Sequence, residues 1–163
     1  MNRFEDIAKQ HAPLIRRIAR SYEANAARAD ELVQEIHLAL WQALPRFRGD
    51  ASMRTFIARI AHNRAISHVA REAREPRAVA LDENLHAAEA SPEDRTTQQD
   101  LRAKLEAAVQ RLPLSLKVAA TLALEGFSPE EVADVLGIGV SAASVRLHRA
   151  KEQLRDMLKG SVA

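Results

Sequence analysis

Cysteine is absent from all 163 positions, which excludes disulfides, thiolate metal sites and cysteine nucleophiles, and with them redox sensing by the chain's own thiols. Aromatic residues are scarce, 4% against 47% hydrophobic, so alanine and leucine must supply most of the core, and helices suit them best. No apolar run approaches the ~18 residues of a membrane span. The opening MNRFEDIAKQ lacks a signal peptide's apolar core, so a soluble, cytoplasmic protein with no membrane insertion of its own is expected. None of the five glycines builds a phosphate-cradling loop, and the histidines at 11, 37, 62, 68, 86 and 148 show no metal-ligand spacing such as H-E-x-x-H. No enzyme, cofactor or metal site is therefore expected, and each histidine is read as a surface or helix-packing residue.

What the chain does contain is a helix-turn-helix pattern, SPEEVADVLGIGVSAASVRLHRAK, from Ser128 to Lys151. Ser128 is a good N-cap, Pro129 suits the first helical position, Glu131 completes an S-x-x-E capping box, and Phe127 with Val132 makes a hydrophobic staple. Such a start contributes ~1 kcal/mol. Val132, Val135 and Leu136 form one apolar face, Gly137 stands where a left-handed residue lets the chain turn, and Ile138 and Val140 are expected to plug the corner. In the second helix Ala143, Leu147, Ala150, Leu154 and Leu158 share one arc. Ser144, Val145, His148 and Arg149 fall opposite, flanked by Arg146 and Lys151. Small polar, apolar and basic side chains pointing outward together suit a helix that reads the major groove. An ordinary helical hairpin with a solvated basic face fits the same pattern.

The net charge of +2 is unevenly spread: residues 1–74 carry 13 Lys/Arg against 8 Asp/Glu, residues 75–98 carry 2 against 6, and residues 99–163 carry 9 against 8. That suggests two nucleic-acid-facing modules joined by an acidic segment, or simply a solvated linker. In the first module Asn2 can cap a helix that Pro13 should kink or divide. Asp30 is expected to cap the next, which ends before Pro45. On its wheel Leu32, Val33, Ile36, Leu40, Ala43 and Leu44 face the core, whereas Asp30, Glu31, Gln34 and Glu35 lie outward with Leu38 and Trp41. A tryptophan among carboxylates suits a basic protein partner, although packing on the preceding helix is an alternative. A further helix starts near Ser52; Met53, Phe56, Ile57, Ile60 and Ala61 share a face, but Ile66 and Val69 fall on another, so a break is expected at His62-Asn63-Arg64. After Pro76 the period is lost, and helices resume over Asp100–Leu112 and Leu114–Glu125. The expected fold is all-α: two small helical domains, 1–75 and 99–163, joined by a flexible acidic linker over 76–98. Each is small enough that its own core gives marginal stability, so docking on a partner would help fix both.

These stretches carry a resemblance. ADELVQEIHLALWQALPRFRGDASMRTFIARIAHNRAIS resembles the promoter-melting domain, region 2, of the extracytoplasmic function group of sigma-70 RNA polymerase sigma factors. LPLSLKVAATLALEGFSPEEVADVLGIGVSAASVRLHRAKEQL resembles the group's region 4, which binds the −35 element. The resemblance implies a transcription initiation factor whose partners are core RNA polymerase, through the β′ clamp and β flap, promoter DNA and an anti-sigma factor. Asp30, Glu31, Gln34, Glu35, Leu38 and Trp41 would bind core polymerase. Phe56, Asn63, Arg64 and Arg71 would bind the −10 element, with Asn63 capturing a flipped base. Ser144, Val145, Arg146, His148, Arg149 and Lys151 would bind the −35 element. Phe56 stands where many relatives have Trp, Ala58 where many have an aromatic, Ser144 for a frequent Lys or Arg, and Val145 for a frequent Ser. The last change allows an apolar contact with a thymine methyl. A free-standing helix-turn-helix regulator is the alternative, but no dimerisation seam is evident; a helical adaptor is another.

Overall fold

The computed structural model describes residues 2–74 and 97–162, and every regular element among them is helical. Helix α1 spans Arg3–Gln10, with Asn2 capping it by accepting from the Phe4 backbone N–H at 3.1 Å. The chain turns at His11, and α2 runs Ala12–Tyr22 with Pro13 in its first turn, where a missing N–H costs nothing. The expected division at Pro13 is what the chain does.

Helix α3, Ala26–Ala43, begins earlier than the sequence suggested. Its N-cap is Asn25, which accepts from the Arg28 N–H at 3.0 Å, and Asp30 lies inside the helix. Alanines at 26, 27 and 29 are good helix formers, so the helix extends back from Asp30 until Asn25 supplies a cap. A 3-10 turn, Leu44–Arg46, closes α3.

Helix α4 is continuous over Met53–Arg74, so the expected break at His62-Asn63-Arg64 is absent. Its buried side runs Ile57, Ala58, Ala61, His62, Ala65, His68 at helical spacing, while Ile66 is exposed. The apparent change of phase arose because two histidines take core positions and an isoleucine does not.

Helices α5 (Thr97–Gln110), α6 (Leu114–Leu124), α7 (Pro129–Leu136) and α8 (Val140–Val162) complete the chain. The linker expected over 76–98 lies outside the described residues except Thr97 and Gln98, which open α5. The capping box at Ser128 and Glu131 forms as read, and Gly137 is left-handed at φ 69°, where a side chain would be strained. Ile138 packs against the core, but Val140 is exposed as the first residue of α8 and plugs nothing.

The two halves pack on each other, α2 against α6 and α4 against α7. One apolar core crosses the boundary, joining Ile15, Ile18, Ile36 and Ile57 to Leu122, Phe127, Val132 and Ala143. A smaller cluster of Val109, Leu112, Leu116, Ala120 and Ala150 holds α5 and α6 to α8. The docking that each half needs is thus provided by the other half.

Candidate partner-binding and nucleic-acid-binding surfaces

The outward face of α3 is as the wheel placed it. Leu38 and Trp41 are 52% and 56% exposed, flanked by exposed Asp30, Glu31 and Gln34, so packing of Trp41 on the preceding helix does not hide it. Its free edge opens on a groove lined by Asn2, Arg3, Phe4, Leu44 and Pro45. Glu35 is only half exposed and pairs with Arg71 of α4 at 2.8 Å. The structure therefore joins two residues that the sequence reading assigned to different partners.

On α4, Asn63 and Arg64 are exposed, with the Asn63 carbonyl accepting from the Ser67 hydroxyl at 3.2 Å. Phe56 is half-buried and tilted against Phe47, ring centroids 4.8 Å apart, so its ring serves packing in this conformation. Asn63, Arg64 and Arg71 are presented on helical backbone, with no loop between them.

On α8, Ser144, Val145, His148, Arg149 and Lys151 are exposed beyond the turn, Val145 47% accessible among them. His148 Nε2 lies 3.2 Å from Glu152. Arg146 differs from its neighbours. It is half-buried and turned toward α2 and α4, close enough for its charge to act on His62 and Tyr22. Burial first, and Arg146 second, hold the His62 imidazole below its ordinary value. A hydrogen bond joins His62 Nδ1 to the Tyr22 hydroxyl, whose own ionisation burial makes harder.

Sequence reasoning missed the seam between the halves. Arg17 of α2 forks onto the Glu125 carboxylate, with Nη2 to Oε2 at 2.9 Å. Arg54 of α4 donates to the Glu125 carbonyl and lies 4.5 Å above the Phe127 ring. Arg59 pairs with Asp134, and the Thr55 hydroxyl reaches the Glu131 carboxylate at 3.4 Å. Three arginines of the basic half thus meet the segment ahead of the helix-turn-helix, at Glu125 and Phe127, and the body of α7, at Asp134. The Glu131 carboxyl is held below its ordinary value mainly by the Ser128 backbone N–H.

A second missed group is buried at the far end of the N-terminal half. His68, 4% exposed, places Nε2 3.0 Å from Glu23 Oε1 and 3.5 Å from Glu72 Oε1. Burial pushes Glu23 up, but hydrogen bonds from His68 and the Asn25 N–H outweigh it and hold the carboxyl low. Burial and the neighbouring Glu23 raise Glu72. The only local signal was the i, i+4 spacing of His68 and Glu72; Glu23 arrives from 45 residues away.

Residues 7–75 match the family model described as Sigma-70 region 2, and residues 102–154 match that described as Sigma-70, region 4. The chain is 30% identical over 162 residues to the ECF RNA polymerase sigma factor SigE of Mycolicibacterium smegmatis, covering 97% of this chain and 62% of that protein's length. It is 32% identical to the RNA polymerase sigma-H factor of Pseudomonas aeruginosa, covering 83% of this chain and 75% of the relative. In fold it is similar to the sigma factor RpoE of Bartonella quintana, solved in complex with the anti-sigma factor NepR. That likeness has a TM-score of 0.79 at 22% identity and covers 98% of each chain. The fold of CnrH, solved with the cytosolic domain of CnrY, is also similar, at TM-score 0.66 and 23% identity.

Proposed function

This chain belongs to the extracytoplasmic function group of the sigma-70 family, and from that premise we propose that it binds core RNA polymerase and directs it to promoters carrying −10 and −35 elements. It performs no chemistry itself; it supplies surfaces. The observation that carries the proposal is the exposed face of α8, where Ser144, Val145, His148 and Arg149 stand together beyond a capped turn. Arg149, near the centre of that arc, reads a base edge, and Val145 meets a thymine methyl. Asn63, with an acceptor and two donors on one short side chain, takes an unpaired base of the −10 element, assisted by Arg64. Glu31, Gln34, Leu38 and Trp41 grip the polymerase clamp.

Elements 25 positions apart are ~85 Å apart along B-DNA. A packed chain of this length has a radius of gyration of ~15 Å, so it cannot span both elements while its halves stay together. The 22 residues between the described halves can reach up to ~75 Å when extended. Promoter binding therefore parts the halves and releases Arg146 from Tyr22 and His62 to contact a phosphate. The packed arrangement is the form held off the promoter, and the complex of a structural neighbour with the anti-sigma factor NepR supports an anti-sigma protein as the partner that favours it.

Run-off transcription with core polymerase tests the reading: product from a cognate promoter should appear only when the chain is added. Glu31→Lys should weaken association with core polymerase at moderate salt without changing helical content. Arg149→Ala should relax discrimination at one base position, at a cost of ~1–3 kcal/mol at the preferred site. If no promoter among genomic fragments yields product with added chain, the proposal fails.

A further inference from the structure

Glu23, His68 and Glu72 take no part in the surfaces described above. We propose that these three side chains form a binding site for a divalent transition-metal ion of the zinc class, clamping the C-terminal end of α2 to the last turns of α4. Their ligand atoms, one imidazole nitrogen and two carboxylate oxygens, all lie within 4.8 Å of one another. A tetrahedral ion with bonds of ~2.0–2.2 Å sets its ligands ~3.3–3.6 Å apart. The observed Nε2–oxygen distances of 3.0 and 3.5 Å need little adjustment to admit one.

The donors are also well held. His68 and Glu72 are one turn apart on α4 and project together. Glu23 Oε2 accepts the Asn25 N–H at 3.0 Å, which fixes the carboxylate and leaves Oε1 facing the ring. His68 Nε2, which faces both carboxylates, must give up its proton to become a ligand, and Nδ1, which has no hydrogen-bond partner among the described residues, is the nitrogen that can carry the ring proton instead. His68 shares a proton with Glu23, and Glu23 shares one with Glu72, so a bound cation would take the place of those protons among the same three groups. Arg28, 3.5 Å from Glu72, has a side chain 43% exposed and can swing into solvent. One imidazole with two carboxylates suits zinc, cobalt or nickel; calcium and magnesium prefer all-oxygen sets and copper(I) prefers sulfur. Glu72 lies on the more open side of the site, where water can complete the coordination.

The test uses the full chain stripped by chelator and titrated with Zn2+ alone, with Co2+ as a spectroscopic substitute. The expected result is one ion per chain with a micromolar or tighter dissociation constant. Thermal unfolding should shift upward and saturate with the same titration, and cobalt should give the intense visible absorption of a tetrahedral site. Glu72→Gln keeps the shape and hydrogen bonding of a protonated carboxyl, so the fold survives while a ligand is lost; affinity should fall tenfold or more. Glu106→Gln removes the exposed Arg102–Glu106 pair and should leave zinc affinity unchanged. The proposal is overturned if the wild type takes up no zinc in the micromolar range, which would leave the cluster a proton-sharing polar network. It is equally overturned if Glu72→Gln and Glu23→Gln both bind as the wild type does.

Discussion

Ile15, Ile18, Leu32, Ile36, Leu40 and Ile57 all belong to the N-terminal half and are all essentially out of water; among the described residues the C-terminal half buries only two large side chains, Leu122 and Val132, to that degree, and both sit in the core it shares with its neighbour. On α8 the fully buried positions are Ala143 and Ala150. Burying a Leu or Ile contributes ~1.5–3 kcal/mol, and an alanine methyl far less. One half is therefore built as a platform, and the other meets it through a few large side chains, Leu122, Phe127 and Val132, together with Ala143 and arginine–carboxylate contacts. On the proposed function the second half must change position, and contacts few in number can be broken and remade.

The sharpest way to break this comparison is to truncate one large side chain in each half. Ile36→Ala and Leu122→Ala should each cost ~2–5 kcal/mol. Hydrogen exchange should tell them apart: Ile36→Ala should lower protection across both halves, whereas Leu122→Ala should lower it in α6 to α8 and leave α2 to α4 protected. Matching exchange patterns would show the halves to be equal partners in one cooperative unit.

A smaller effect is expected at the start of the helix-turn-helix. Ser128→Ala removes the acceptor of the Glu131 N–H and should cost ~1 kcal/mol in urea unfolding, with the loss confined to the C-terminal half. Ser52 gives the matching control in the platform, since it accepts from the Thr55 N–H at 3.1 Å at the start of α4.

The seam should respond more weakly still. The Arg59–Asp134 pair is 40% and 45% exposed, so its loss costs only ~0.5 kcal/mol, yet it acts wholly on the contact between halves. Arg59→Glu should lower the energy transfer between dyes placed on α3 and α8, and Asp134→Arg in the same chain should restore it. Raising salt should mimic the single variant.

The smallest expected change is with pH. Burial, aided by Arg54, Arg16 and Arg146 respectively, holds His11, His37 and His62 below the ordinary 6.5. The folded state thus binds fewer of these protons than the unfolded one. The stability they contribute is complete above 6.5 and is lost as pH falls through the lowered values. Glu72, raised, acts in the opposite sense, and only above the ordinary carboxylate range. His62→Gln should flatten the acid side of the dye-distance profile, because His62 alone of the three lies beside an arginine of α8.

The sequence was most legible where the signal is local. The capping box at Ser128, the left-handed Gly137, the division at Pro13 and the exposed carboxylate and tryptophan face of α3 depend on neighbours within a turn or two, and all stand as read. The start of α3 was less legible: Asp30 reads as its cap, whereas the helix begins after Asn25 and buries Ala29 in the core.

Composition and periodicity by themselves determined an all-helical chain with a capped helix-turn-helix and a second amphipathic module, because backbone capping and 3.6-residue spacing are properties of short segments. The tertiary structure alone decided that α4 runs unbroken, since whether His62 and His68 can occupy core positions depends on Tyr22, Glu23 and Glu72 being there to meet them. It likewise decided that Arg146 faces inward while Arg149 faces out, and that Arg17, Arg54 and Arg59 join the halves. Each of those contacts links residues 71 to 124 positions apart, or turns on which neighbouring helix covers a face, and no pattern along the chain carries that information.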